Sequence, residues 1–212
     1  MAKTTPKPDL AEVADAPEAR IVAAARDLFF AVGYGALTVD ALAEALGMSK
    51  KTIYRHFRSK EAILAAVIDE AERTIRTQAQ ALIADPRAAF AAKLGGVMEI
   101  VSAQYGRMRP ERLRELAQAA PALHRRIETL RRRTTPAVVG ALLRAGIEAD
   151  EVRAGTDVDF AVEMWIAAAS GLLDPQTLDR LGLSPREAIS RGIDLFFLGV
   201  LKTKPRNIRS AT

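Results

Sequence analysis

The stretch SKKTIYRHFRSK, residues 49–60, concentrates the side chains of this chain that are best suited to ionic binding. It holds five lysines and arginines and no carboxylate, with two aromatic residues and a histidine between them. Side chains of this kind donate to phosphate oxygens. Ile53 and Phe57 are spaced to share one face of a helix. The pattern predicts a short helix with one buried apolar face and a cationic face that contacts a polyanion.

The composition of the chain excludes several kinds of site and of protein. The 212 residues carry a formal charge of +5 and contain no cysteine, which excludes disulfides, thiolate metal sites and cysteine nucleophiles. The longest charge-free apolar run near the end, residues 164–173, is about half of what a membrane helix requires. Residues 1–16 lack the apolar core of a secretion signal. We therefore expect a cytoplasmic protein with no membrane partner.

The elements that position the basic stretch are predicted to be helical, and the fold class is all-α. Strand signals are nearly absent. Proline repeatedly stands where a first helical turn would begin, followed by an apolar period of 3.6 residues. The prolines that fit this use are Pro17, Pro86, Pro110, Pro121 and Pro185. Residues 1–16 are predicted to be a disordered arm.

Capping residues define the helices around the stretch. A first helix from Pro17 to Val32 would end at the following glycines, and Thr38 would cap a short second helix closed by Gly47. Ser49 would cap a third helix, with Met48 and Ile53 as a hydrophobic staple across the cap. Ser59 would cap a long fourth helix from Lys60 to about Ala84. We place the head at 17–62, the body at 63–204 and a tail at 205–212.

Two short helices joined through Gly47 and Met48 form a helix-turn-helix, whose second helix enters the DNA major groove. Lysine and arginine on its first turns can donate to guanine, and a threonine methyl group can contact thymine. Tyr54, His56 and Lys60 are better suited to phosphate, which fixes register without reading sequence. The candidate DNA-binding residues are Thr38, Ser49, Lys50, Lys51, Thr52, Tyr54, Arg55, His56 and Lys60.

A family resemblance follows from these motifs in order. The segment from 22 to 69 contains F-x-x-x-G-Y, then Thr38, then LAEALGMSKKTIYRHF and SKE. It resembles the DNA-binding head of the TetR (tetracycline-repressor-like) transcriptional regulators. That resemblance implies a homodimer, a helical ligand-binding and dimerisation body, and usually repression relieved by a small-molecule effector, with no cofactor. Lys51 departs from the glycine common in this family and adds a cation to the DNA face.

The body carries weaker signals. A helix from Pro86 and one from Pro121, interrupted at Pro136, are expected, with a capping box from Ser184 to Glu187 opening the last helix. Flexible methionine and aromatic side chains suit an adaptable apolar site, although ordinary core explains them equally well. The candidate pocket residues are Met98, Tyr105, Phe160, Met164 and Trp165.

Dimerisation is expected from the last two helices, which carry apolar residues over more than one face. The candidate interface residues are Ala168, Gly171, Ile189, Ile193, Phe196, Phe197 and Val200. A two-fold dimer matches a palindromic stretch of double-stranded DNA, because its two recognition helices must sit about 34–36 Å apart. We expect the long fourth helix to transmit a change in the conformation of the body to the spacing between the two heads of the dimer.

Other functions remain open at this level. Residues 107–133 hold nine arginines, which form either a second nucleic-acid or membrane-surface patch or the exposed side of two helices. An enzyme is disfavoured because the two histidines, His56 and His124, sit beside no obvious nucleophile or metal-ligand cluster. A sequence-independent architectural protein would use the same cations. The sequence does not choose between repression and activation.

Overall fold

The computed structural model describes residues 16–105 and 108–200, which form helices with no β-strand. The bounds are α1 (Pro17–Ala36), α2 (Val39–Leu46), α3 (Lys50–His56), α4 (Lys60–Ala84), α5 (Phe90–Tyr105), α6 (Pro110–Ala119), α7 (Pro121–Thr135), a π-helical turn (Pro136–Gly140), α8 (Ala141–Glu148), α9 (Val158–Leu172), α10 (Pro175–Leu181) and α11 (Pro185–Val200). This confirms the all-α fold class. None of the described helices is long and apolar enough to cross a membrane. The predicted arm and tail lie almost wholly outside the described residues.

Helix α1 is broken at Gly33, where the first helix was expected to end. The backbone of Gly33 has φ +86° and ψ −177°. Residues with a Cβ atom rarely adopt this conformation. The chain resumes for one further turn to Ala36 and then enters α2. Leu37, between these two helices, is completely buried. The break therefore turns the chain and anchors the corner in the core.

The predicted caps of the next three helices are confirmed. The hydroxyl of Thr38 accepts from the amide of Ala41 at 3.1 Å, and Gly47 ends α2 in the left-handed conformation. The hydroxyl of Ser49 accepts from the amide of Thr52 at 3.1 Å. Ser59 caps α4 in the same way, through the amide of Ala62. Each cap satisfies a backbone donor that the helix itself leaves free.

The body departs from expectation in three places. Pro86 does not start a helix: Asp85 accepts from the amide of Arg87 at 2.9 Å in a turn, and α5 begins only at Phe90. The kink or break expected at Pro136 is present as a π-helical turn. Helices α8 and α10 were not predicted. The capping box is present, with the amide of Ser184 donating to Glu187 at 2.9 Å.

The buried side chains form two main clusters. The body core brings together α5, α8, α9 and α11 around Trp165 and Phe196, whose ring centroids lie 5.4 Å apart. The head core joins α1 to α4, with Ile21, Leu42 and Ile53 completely buried. It is completed from the body by Leu116 of α6, Leu123 of α7 and Ala120 between these two helices. The head thus rests on two helices of the body.

Candidate nucleic-acid interface and adjoining cavity

Helices α2 and α3 form the predicted helix-turn-helix. Ile53 is fully buried in the head core, and Phe57, which ends α3, is half-buried against the same cluster. These two residues fix α3 by one face, as their spacing predicted. The opposite face of α3 is exposed, and it carries Lys51, Tyr54 and Arg55.

Most of the candidate DNA-binding residues are gathered on this exposed surface. Lys50 forms an ion pair with Asp40 on α2, whereas Lys51 and Arg55 make no ion pair with a described residue. Thr52 is half-buried, and its hydroxyl lies 2.9 Å from that of Ser49, so both hydroxyls belong to the cap of α3. Two uncompensated cations and a half-exposed tyrosine are therefore presented together, which suits contact with phosphates and base edges.

His56 and Lys60 are held against α1 instead of projecting freely. The Nδ1 atom of His56 lies 3.3 Å from a carboxylate oxygen of Glu18, and only 19% of its side chain is exposed. The ammonium of Lys60 donates to the carbonyl of Tyr34 at 3.0 Å and lies 3.9 Å from the centroid of the Tyr34 ring. Lys60 therefore ties the start of α4 to the turn of chain that follows the Gly33 break.

Tyr34 is itself fixed by the first turn of α4. Its hydroxyl donates to the carboxylate of Glu61 at 2.8 Å. Burial, followed by the hydrogen bond to Glu61, raises the pKa of Tyr34 above its usual value. The bond from Tyr34 in turn lowers the pKa of Glu61. Neutral tyrosine and ionised glutamate at neutral pH are the states that this hydrogen bond requires.

A second set of contacts joins the break in α1 to the body, and we call it the latch: Arg112 and Glu115 of α6 with residues 31–35. The carboxylate of Glu115 accepts from the amide of Gly35 at 2.6 Å. The guanidinium of Arg112 donates to the carbonyl of Ala31 at 3.2 Å and pairs with Glu115. The latch satisfies backbone groups that the break in α1 leaves without helical partners.

A cavity of about 210 Å³ lies between the head and the body. Its wall is mostly apolar and includes Phe29 and Phe30 of α1, Trp165 of α9 and Ile189 of α11. The polar and charged side chains that line it are Arg26, Glu72, Gln104, Arg131, Thr134 and Thr135. Sequence reasoning missed its contact with α1, because nothing in α1 distinguishes a cavity wall from ordinary core.

Glu72 is a buried carboxylate in the wall of this cavity, with 8% of its side chain exposed. It accepts from the hydroxyl of Thr134 at 2.5 Å and from Arg76 and Arg133, both at 3.2 Å. Burial acts to raise its pKa, but the hydrogen bond from Thr134 and the charges of Arg133 and Arg76 outweigh that effect and lower it. Glu72 is therefore ionised and already neutralised by its neighbours.

The candidate pocket residues are distributed differently from the expectation. Trp165 lines the cavity. Met98 is half-buried and packs against the body core outside the cavity wall. Phe160 and Met164 lie on the outer face of α9, where 68% and 46% of them are exposed. The side chain of Tyr105 lies outside the described residues.

The candidate dimer residues separate into two groups. Ile189, Ile193, Phe196 and Phe197 are buried within the chain itself, since they are the residues by which α11 packs on α9. Ala168 and Gly171 are exposed on α9. Leu195, which was not among the candidates, is 74% exposed on α11. The side chain of Val200 lies outside the described residues.

The arginine-rich segment is largely ion-paired. Arg107 lies outside the described residues. The described arginines that pair with carboxylates are Arg112 with Glu115, Arg114 with Asp179, Arg126 with Asp69, Arg131 with Glu128, and Arg133 with Glu72. The pair between Arg126 and Asp69 has two bonds, at 2.7 and 2.6 Å, and links α7 to α4. These arginines join helices to one another, and their charge is compensated in place.

Comparison with known proteins agrees with this architecture. A family model described as bacterial regulatory proteins, tetR family, matches residues 21–67. The transcriptional regulator EthR of Mycolicibacterium smegmatis is 35% identical over 80 residues, which is 36% of this chain and 37% of that protein. The match thus spans about a third of that relative's length.

Two solved structures extend the likeness to the body. A TetR family transcriptional regulator, PfmR of Thermus thermophilus, is 26% identical with a TM-score of 0.54, over 84% of this chain and 97% of that one. FadR of Bacillus subtilis, solved with stearoyl-CoA, is 20% identical with a TM-score of 0.58, over 85% and 98%. These relatives are transcriptional regulators, as the resemblance implied, and not enzymes. The head of this chain, residues 21–67, thus matches the tetR family of bacterial regulatory proteins, and the whole chain shares the helical architecture of these solved structures.

Proposed function

We propose that this protein is a sequence-specific DNA-binding transcriptional regulator that acts as a homodimer on a palindromic operator. The observation that carries the proposal is the exposed face of α3, which presents Lys51 and Arg55 without ion-pair partners among the described residues. The face lies in the segment that the tetR family model matches. An apolar anchor at Ile53 holds α3 in place, so that its outward side chains can enter a major groove.

The proposed dimer uses the outer faces of α9 and α11. Phe160, Met164 and Leu195 are large apolar side chains with roughly half or more of their surface exposed. Ala168 and Gly171 lie on the same helices and allow close approach of a second backbone. Exposed apolar surface of this kind is typical of a subunit interface. A two-fold axis through it would place two copies of α3 on successive turns of DNA.

The proposed regulation is release of DNA on binding a small molecule in the cavity. FadR of Bacillus subtilis binds stearoyl-CoA, which supports a ligand-binding role for a body of this fold. Here the cavity wall includes Phe29 and Phe30 of α1, so a bound molecule would contact the head directly. A ligand that prefers another arrangement of α1 would weaken DNA binding by its difference in affinity between the two states. We propose that the protein is a repressor. A ligand that weakens its binding to DNA would then act as an inducer.

An in vitro selection of bound DNA from a random pool at physiological salt tests the proposal. Recovery of an inverted repeat, with half-sites about one helical turn apart, is the expected result. Salt-sensitive binding without enrichment of any motif would support a sequence-independent architectural protein instead. Lys51→Ala and Arg55→Ala serve as variants of the proposed face. Arg87→Ala, a cation in the turn before α5 with 89% of its side chain exposed, is the control.

A further inference from the structure

An ion pair joins the two helices of the helix-turn-helix on its exposed side. Lys50 is the first residue of α3, and its ammonium pairs with the carboxylate of Asp40 in the first turn of α2. Both side chains are more than half exposed, 58% for Lys50 and 66% for Asp40. The first residues of a recognition helix are those that usually contact base edges. The pair therefore brings a carboxylate to the part of the surface where bases would be read.

The charge of the pair makes it a poor partner for the phosphates of DNA. The carboxylate of Asp40 is repelled by phosphate, and the charge of Lys50 compensates Asp40 instead of a phosphate. Lys51 and Arg55, by contrast, make no ion pair with a described residue and are free to attract the polyanion. Sequence-independent attraction to DNA is therefore explained by those two cations and not by the pair.

The edge of a G·C base pair offers what the two side chains require. In the major groove guanine presents its adjacent O6 and N7 acceptors, and the paired cytosine presents its N4 amino donor. Lysine donates to the guanine acceptors, and aspartate accepts from the cytosine amino group. In an A·T pair the amino donor of adenine lies between two acceptors, so the two adjacent acceptors are lost. A cation and a carboxylate that lie side by side thus match a G·C pair.

The ion pair is able to open and take these partners. Ion pairs between exposed side chains are weak, because water screens both charges. Lys50 can therefore move from Asp40 to guanine while the carboxylate accepts from cytosine. A base pair that satisfies only one of the two would leave the other charge without a partner, which is unfavourable in the complex. The contacts of Asp40 and Lys50 are for this reason expected to form together.

We propose that Asp40 and Lys50 together read one G·C base pair in each half-site of the operator. This inference rests on the proposed function, because it assigns base specificity to the same DNA-binding surface. It makes Asp40, on the first helix of the motif, a specificity-determining residue beside those of α3. Since the two residues share one base pair, substitutions of either must change the preference at the same position of the operator.

Selection of bound DNA from a random pool, at physiological salt and with the full-length protein, tests this pairing. The native protein is compared with Asp40→Ala, Lys50→Ala and the control Glu44→Ala. Glu44 is an exposed carboxylate one turn further along α2, so its loss changes the net charge as the loss of Asp40 does. We expect Asp40→Ala and Lys50→Ala to lose preference at the same position, a G·C pair in the native motif. Glu44→Ala should enrich the native motif.

Binding titrations give the size of the effect. Replacement of that G·C pair by A·T in one half-site should weaken binding by the native protein about tenfold, because two contacts are lost. Asp40→Ala and Lys50→Ala each have one contact left to lose, so the same replacement should cost them about threefold. The melting temperature of each variant checks its fold. If one variant does not fold, the other decides by the same titration.

Four results would overturn the proposal. They are changes of preference at different positions in the two variants, an unchanged motif in both, an A·T pair at the shared position, and the same loss of preference in Glu44→Ala as in Asp40→Ala. Each of these leaves the regulator in place, since the native protein has then enriched an inverted repeat. Enrichment of no motif by the native protein would instead overturn the proposed function and this inference together.

Discussion

The carboxylate of Glu115 accepts a hydrogen bond of 2.6 Å from the backbone amide of Gly35, eighty residues earlier in the chain. This bond joins α6 of the body to the point where α1 of the head has left its helical path. Arg112 adds a bond to Ala31 on the other side of the break. The latch therefore holds the turn that leads into the helix-turn-helix.

The first prediction concerns the backbone at the break. Gly33→Ala should lower the free energy of unfolding by on the order of 1–3 kcal/mol, because a side chain is strained at this φ. A Cβ atom would also lie only 2.3 Å from Glu115 Oε2. The control is Gly95→Ala on α5, where the Cβ meets nothing within 4 Å and helix propensity predicts a small gain of stability. Urea unfolding of both variants measures the difference. Equal stability of the two variants would contradict the argument.

The second prediction is a pH dependence of the latch. The hydrogen bond from Gly35 is the largest cause that lowers the pKa of Glu115 below its usual value of 4.5. A carboxylate whose pKa is lowered by folding stabilises the protein above its unfolded pKa, and this stability is lost as the pH falls through the folded pKa. Glu115→Gln should therefore be less stable than the native protein at pH 7, and the two should converge below about pH 4.5.

Thermal unfolding at several pH values follows this convergence. Glu111→Gln, an exposed position on the same helix, is the matched control for the loss of a carboxylate from α6. A constant difference between the native protein and Glu115→Gln from pH 7 down to pH 3 would show that ionisation of Glu115 is not the cause.

The third prediction assigns different roles to Lys51, Thr52 and Lys60 of the head. Lys51→Ala and Thr52→Ala should alter base preference, because both residues lie in the first turn of α3. Lys60→Ala should weaken binding to all sequences alike, since its ammonium supports the carbonyl of Tyr34. It should also lower the melting temperature, which a residue that contacts only phosphate would not do. Binding titrations on a set of operator variants separate the effects. A changed preferred site in Lys60→Ala would refute this division.

The fourth prediction concerns the proposed subunit interface. Leu195→Glu places a charge at a side chain that is 74% exposed in the single chain, so it should leave the fold intact but shift a dimer to monomers. Leu181→Glu, at a leucine of α10 that is 49% exposed, is the matched control and should remain dimeric. Sedimentation velocity at micromolar concentration distinguishes the two. A native protein that sediments as a monomer would remove the interface from the proposal.

Local signals predicted the head well. Thr38, Ser49 and Ser59 cap their helices as expected, because a cap depends on residues three positions apart. Burial of Ile53 follows from helical periodicity in the same way. The family resemblance covers these same residues, which explains why the fold class and the helix-turn-helix could be read from the sequence.

The features that could not be predicted from the sequence are contacts between residues that are far apart in the chain. Nothing near Glu115 indicates that it will reach Gly35, and an arginine-rich segment looks the same whether its charges are free or paired. The apolar face of α11 illustrates the same limit. Phe196 and Phe197 are hydrophobic enough for a subunit interface, but only the packing of α11 on Trp165 and its neighbours shows that they are buried within one chain.

The shared head core has a consequence for synthesis on the ribosome. The head occupies the beginning of the chain, yet Leu116, Ala120 and Leu123 complete its core. A nascent chain that has emerged only through α4 therefore exposes apolar surface of α1 and α4 until α6 and α7 follow. The segment proposed to contact DNA is therefore made before the body helices that complete its core.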